Sequence, residues 1–227
     1  MQNQIFISGQ GYLPIEDLIQ AGRSMSCLGL INGKMGITIA LFRYARLSGE
    51  LAYEEVASEL LDEVCERLDY SMPVSFGDGL CGIGWGIEYL IRQKYIEGDA
   101  DLILEEIDRV VIAMIHLRRI TKIDLEEGLC GIGKYLIGRI HWGNGVKDTY
   151  CSAKLKEYLI YWVDWLDELL LYKEEGIKDV LDLLSELYDL GFYKVKVRSI
   201  LKRLISEPQG VNSVSYTHLT LPTTPYV

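Results

Sequence analysis

Apolar side chains recur at three- and four-residue spacing through most of the chain. Examples are Leu60, Leu61, Val64 and Leu68 between Glu54 and Tyr70, then Leu102, Ile103, Ile107, Val110, Val111, Met114 and Ile115, then Leu155, Leu159, Trp162, Trp165, Leu166 and Leu169. That period predicts amphipathic α-helices, and nothing alternates convincingly as strand. Polar clusters with glycine, at Ser48-Gly49-Glu50, Glu97-Gly98-Asp99 and Gly143-Asn144-Gly145, separate the periodic segments and read as helix stops and turns.

One phrase occurs three times: Asn32-Gly33-Lys34-Met35-Gly36-Ile37, Asp78-Gly79-Leu80-Cys81-Gly82-Ile83 and Glu127-Gly128-Leu129-Cys130-Gly131-Ile132. The first glycines are 46 and 49 residues apart, a period expected of stacked or toroidal helical hairpins. A helix is predicted to start at each Gly-x-x-Gly turn, with Asn32 or Asp78 as N-cap acceptor opposing the positive end of the dipole. The glycines permit close backbone approach or positive φ. The helix after each turn is apolar on nearly every face, as in Ile37-Thr38-Ile39-Ala40-Leu41-Phe42, which predicts an inner, buried helix. The returning helices, with Glu54, Glu55, Glu59, Asp62 and Glu63, predict an outer wall. Glu175-Gly176 lies at the position of a fourth turn, but Ile177-Lys178-Asp179 lacks the second glycine, so that turn is degenerate.

Composition narrows the class. Apolar residues are 49% of the 227 and the formal charge is −10, which disfavours nucleic acid or anionic membrane as partner. No apolar run reaches the ~18 residues of a spanning helix, and no charged n-region precedes an apolar one at the N-terminus, so a cytoplasmic protein without a transmembrane segment is expected. The five cysteines, Cys27, Cys65, Cys81, Cys130 and Cys151, lack Cys-x-x-Cys spacing and imply neither a disulfide framework nor a zinc knuckle. Val214 to Thr224 resembles the translation of a transposon-end adaptor used in sequencing libraries. Residues 1–213 are therefore expected to be the native part and 214–227 a scar outside fold reasoning.

The hairpins and turns resemble the lanthionine synthetase C-like (LanC-like) family, from about Cys27 to at least His141 and more weakly to Ile205. The third copy, Asp124-Leu125-Glu126-Glu127-Gly128-Leu129-Cys130-Gly131-Ile132-Gly133-Lys134-Tyr135-Leu136, is similar to that family's Asp-x-x-x-Gly-Leu-x-Gly-Ile-Gly-x-Tyr-Leu segment. The resemblance implies an all-α fold, an α/α toroid barrel of helical hairpins, here truncated to about half. It also implies a chemistry: a zinc-bound cysteine thiolate of a precursor peptide adds to a dehydrated Ser or Thr and closes a lanthionine ring. The partners implied are a precursor peptide with its leader and a dehydratase. Asp124 corresponds to an active-site carboxylate. Gly33, Gly36, Asp78, Gly79, Gly82, Trp85, Gly128, Gly131 and Tyr135 mark the turn and cavity motif. The family's partner histidine, a Cys and a Cys-His pair for zinc are expected from later repeats, so no metal site is expected here and the fragment alone is expected to be inactive.

Other roles stay open for several of these residues. Cys81 and Cys130 share a slot with Met35, which favours packing over metal binding. Asp124 also suits a helix-entry acid, Glu126 and Glu127 suit solvated or capping acids, and Trp85, Tyr89 and Tyr135 suit the core, with Trp85 also able to line a cavity. His116 falls on the apolar face of a helix and His141 suits a C-cap cation. Lys34 lacks the rest of a phosphate-loop pattern. A peptide-binding protein without zinc is one alternative function. A glycoside-processing toroid, working with paired carboxylates, is another, and fold alone does not choose between them.

Overall fold

Each Gly-x-x-Gly phrase opens a helix one residue after its first glycine: α2 at Lys34–Ser48, α4 at Leu80–Arg92 and α7 at Leu129–His141. The computed structural model describes residues 4–7, 11–31, 33–141, 150–172 and 176–206. The helix starts are satisfied by backbone and not by the predicted side chain. The cap residues are the glycines themselves, in extended conformation (Gly33 φ −139°, Gly79 φ −120°), with no side-chain cap hydrogen bond. The first helical N–H of each inner helix donates to a carbonyl seven residues back: Lys34 to Cys27 (2.9 Å), Leu80 to Pro73 (2.9 Å) and Leu129 to Lys122 (2.9 Å). With that donor satisfied by the loop, Asp78 is not a cap; it is exposed beside the turn. Asn32 lies outside the described residues.

The second glycine has a different reason. A Cβ at Gly36 would stand 2.1 Å from the Leu30 carbonyl oxygen, one at Gly82 2.0 Å from that of Phe76, and one at Gly131 2.5 Å from that of Leu125. The loop folds directly onto the helix start, so close approach and not positive φ is what these turns require.

Each inner helix is followed by a returning one: α3 at Leu51–Glu66, α6 at Glu105–Leu117 after the short α5 at Ala100–Ile103, and α8 at Tyr150–Leu169. α2 packs on α3, α4 on α6 and α7 on α8. The inner helices also pack in succession, α2 on α4 and α4 on α7. The degenerate fourth turn does open a helix: α9, Ile177–Asp189, starts after Gly176, packs on α7, and pairs with α10, Lys194–Ser206. The result is an arc of four α/α hairpins, an all-α toroid fragment as the repeats predict. The strands β1 (Gln4–Ile7) and β2 (Gly11–Pro14) form an antiparallel hairpin ahead of α1 (Ile15–Ser24), which packs on α2 and α3. This short hairpin precedes the periodic segments and was not expected from them.

α4 and α7, flanked on both sides, are buried on nearly every face, from Leu80, Cys81 and Ile83 in one to Leu136 and Ile137 in the other. Each such apolar side chain contributes about 1.5–3 kcal/mol relative to exposure. On α3, Ala57, Leu60, Leu61 and Val64 face inward while Glu54, Glu55, Glu59 and Asp62 face solvent, as expected of an outer wall. The second predicted apolar stripe is interrupted. Asp99 caps α5 by accepting from Asp101 N (3.0 Å), and this separate turn carries Leu102 and Ile103 outward, 72% and 44% exposed. Ile107, Val111 and Ile115 keep to the core.

Candidate functional site

The loops that precede the inner helices stack on one another at one end of the arc. The amides of Leu30 and Ile31 donate to the Gly77 carbonyl (2.7 and 3.0 Å), and those of Phe76 and Gly77 donate to the Glu126 carbonyl (2.9 Å each). Gly33, Gly36, Gly79, Gly82, Gly128 and Gly131 form the backbone of this layer. Four residues before the cap glycine the three loops carry Gly29, Ser75 and Asp124, so the third loop alone presents a carboxylate there. Asp124 is half-buried, and its Oδ1 accepts the Glu127 amide at 2.7 Å. This bond closes the turn over Leu125 and Glu126 and fixes the carboxylate. Glu126 and Glu127 are exposed, and Glu127 pairs with Lys122.

Trp85 and Tyr135 belong to the packing between hairpins. Trp85 is half-buried, stacked on Tyr89 (5.5 Å, 16°) and edge-on to Phe76 (5.9 Å). It lies against Gly138 of α7, where a Cβ would come within 2.8 Å of the indole. Tyr135 is fully buried, and its hydroxyl donates to Asp108 Oδ1 at 2.6 Å.

Tyr135 leads to a cluster that sequence reasoning missed. The Arg139 guanidinium, 2% exposed, donates to Glu88 at 2.6 Å, to Asp108 at 2.9 Å and to Asp101 at 3.0 Å, joining α7 to α4, α5 and α6. Burial works to lower the Arg139 pKa, but the hydrogen bond to Asp108 and the charges of Asp108 and Glu88 outweigh it and hold the group above its ordinary value. Burial raises Glu88 against the opposing pull of Arg139. Burial, reinforced by the Asp108 charge, raises Tyr135 well above the usual phenol range. The available signal was a charge well inside each of two mostly apolar helices, since Glu and Arg are seldom fully buried unless paired.

Cys81 and Cys130 are both fully buried, like Met35 in the same slot. Burial pushes both thiols up, helped at Cys81 by the charge of Asp108 and at Cys130 by those of Asp179 and Asp124. Each is thus a neutral packing group at pH 7. His116 is exposed, not packed on an apolar face; its ring nitrogen is 3.0 Å from the Tyr158 hydroxyl. Lys34 is fully buried, with Nζ 2.5 Å from Glu63 on α3. The side chains of His141 and Cys151 lie outside the described residues. Among the described residues no three His, Cys, Asp or Glu side chains are placed to hold one metal ion. No described helix is long and apolar enough to cross a membrane.

Consecutive α/α hairpins, with inner helices that open at glycine turns stacked in one layer, define an all-α toroid-type repeat protein. The profile of the lanthionine synthetase C-like protein family matches residues 24–192, and the chain belongs to that family. No curated protein matches it.

Proposed function

We propose that the chain is part of a LanC-like peptide cyclase in which the turn layer faces a precursor peptide and Asp124 serves the proton transfer of ring closure. The supporting observation is the Asp124 carboxylate, held through Oδ1 by the Glu127 amide at the loop position where the other two turns have Gly29 and Ser75. Addition of a cysteine thiolate to the β-carbon of a dehydrated Ser or Thr forms a C–S bond and leaves an enolate, whose α-carbon must take up one proton. A carboxyl fixed by its own loop is suited to orient or supply that proton.

The test incubates the complete cyclase of which this chain is part with a peptide that carries a cysteine and a dehydrated residue, then counts free thiols by alkylation and mass spectrometry. Asp124→Asn is expected to slow ring closure by roughly 10²–10⁴-fold with the melting temperature retained. Closure at the unmodified rate would remove Asp124 from the chemistry.

A further inference from the structure

The ladder between turns changes its chemistry at the third step. Leu30 and Phe76, each three residues before its cap glycine, donate to a backbone carbonyl of the next turn. Leu125 holds the same place before Gly128, yet its amide donates to a side chain, Oδ2 of Asp179, at 2.9 Å. Asp179 lies three residues after Gly176, the slot filled in the other turns by Gly36, Gly82 and Gly131. A side chain is excluded in those turns by the loop carbonyl that lies over them. The fourth turn enters its helix with a different backbone: Gly176 has φ +78° where Gly33 and Gly79 are extended. Gly176 also lies directly on the third loop, where a Cβ would stand 3.1 Å from the Asp124 amide nitrogen. The charges of Asp179 and Asp124 both act on the thiol of Cys130, so the two carboxylates share one neighbourhood.

We propose that Asp179 is a positioning residue for Asp124. Its carboxylate stands where a backbone carbonyl stands in the two preceding contacts, and it anchors the peptide unit that links Asp124 to Leu125. The Glu127 amide anchors the Asp124 carboxylate within its own loop, and Asp179 ties that loop to the fourth hairpin. The catalytic part of this proposal rests on the assignment of Asp124 to proton transfer; the anchoring part does not.

The two parts are tested together with Asp179→Ala and Asp179→Asn in the complete cyclase of which this chain is part. Amide hydrogen exchange at Leu125 reads the anchor without reference to activity, and ring-closure kinetics read its consequence. Loss of a hydrogen bond to a charged acceptor should speed exchange at Leu125 roughly 10–100-fold in Asp179→Ala. Asp179→Asn keeps an acceptor oxygen and should stay within about threefold of the unmodified protein on the same grounds. Ring closure should fall in kcat with KM nearly unchanged in Asp179→Ala, recover in Asp179→Asn, and show no further loss when Asp179→Ala is added to Asp124→Asn. Unchanged exchange at Leu125 in Asp179→Ala overturns the anchor. Faster exchange with normal kcat, in a protein that Asp124→Asn does inactivate, overturns the positioning role. If the unmodified cyclase closes no ring, the assignment of Asp124 fails, and exchange at Leu125 still decides whether Asp179 holds the loop.

Discussion

Replacing Arg139 with leucine removes the buried cation of this cluster while filling much of the volume of its stem. The guanidinium is 2% exposed, and its partners Glu88 and Asp108 are 9% and 7% exposed at the side chain. Their carboxylates would be left in a low-dielectric interior, Glu88 without the Arg139 contact at 2.6 Å and Asp108 with the Tyr135 hydroxyl at 2.6 Å. Removing one partner of a buried ion pair costs about 3–5 kcal/mol. Asp101 is 38% exposed, and the loss of its contact adds little in solvent-screened surroundings. For a domain of this size the loss corresponds to a melting temperature lower by about 6–20 °C. The pH dependence has a definite sign. Burial already raises Glu88, and without Arg139 it rises further, so the folded variant binds more protons than the unfolded chain. Stability held by such groups is present below their unfolded pKa and is lost as pH rises through the folded value. The gap between variant and unmodified protein should therefore narrow as pH falls from 7 toward 5. Urea denaturation followed by tryptophan fluorescence at pH 5, 6 and 7 measures both quantities. A loss below about 1 kcal/mol at pH 7, against the range for a broken buried pair, or a gap that does not narrow in acid, would refute the reasoning.

Two glycines separate close approach from backbone strain. Gly82→Ala forces a Cβ to within 2.0 Å of the Phe76 carbonyl oxygen and is expected to cost about 3 kcal/mol or more, whereas Gly49→Ala, at φ +75° with open space around it, is expected to cost about 1–2 kcal/mol; equal losses in thermal melts would contradict the origin assigned to the turn glycine. Thiol alkylation of the native protein, mapped by mass spectrometry, should label the half-buried Cys27 and the exposed Cys65 well before Cys81 and Cys130. Labelling of either buried thiol at the rate of Cys65 would contradict its placement in the core.

What could be read in the sequence was what is local. The Gly-x-x-Gly phrase marks the start of three inner helices because the clash that demands its second glycine lies six residues away in the same loop. The outer helices follow from a 3.6-residue period in which acids and apolar residues separate cleanly, as on α3. The errors share a cause as well. Asp78 has the chemistry of a cap, but the Pro73 carbonyl reaches the Leu80 amide first, and the preference of a side chain carries no information about a competing carbonyl seven residues upstream. Leu102 and Ile103 fit the helical period of α6 but belong to a separate turn set by the Asp99 cap. The fourth hairpin was half visible, since Gly176 kept the period while Asp179 replaced the glycine that defines the phrase.

The candidate site divides along the same line, and the division has a physical basis. Asp124 could be singled out because it lies in one contiguous phrase, Asp124 to Leu136, while the Arg139 cluster joins residues 31 to 51 apart. No window of sequence contains it. Yet the inner helices of an arc are apolar by necessity, so each long basic side chain on them must find an acceptor on a neighbouring element or remain unpaired in the interior. Arg46, at the end of α2, donates to the carbonyls of Gln93 and Lys94 after α4 (2.8 and 3.0 Å). Arg139 on α7 reaches back to α4 and α6, and Lys134 on the same helix reaches forward to Glu186 of α9 at 2.7 Å. Every junction between consecutive hairpins in the arc thus carries a basic side chain from one inner helix bound to the adjoining hairpin. Apolar packing is tolerant of small shifts between stacked hairpins, whereas these directional contacts are not. Of the three basic side chains Arg139 alone is buried, so the junction of the second and third hairpins is where a directional contact weighs most.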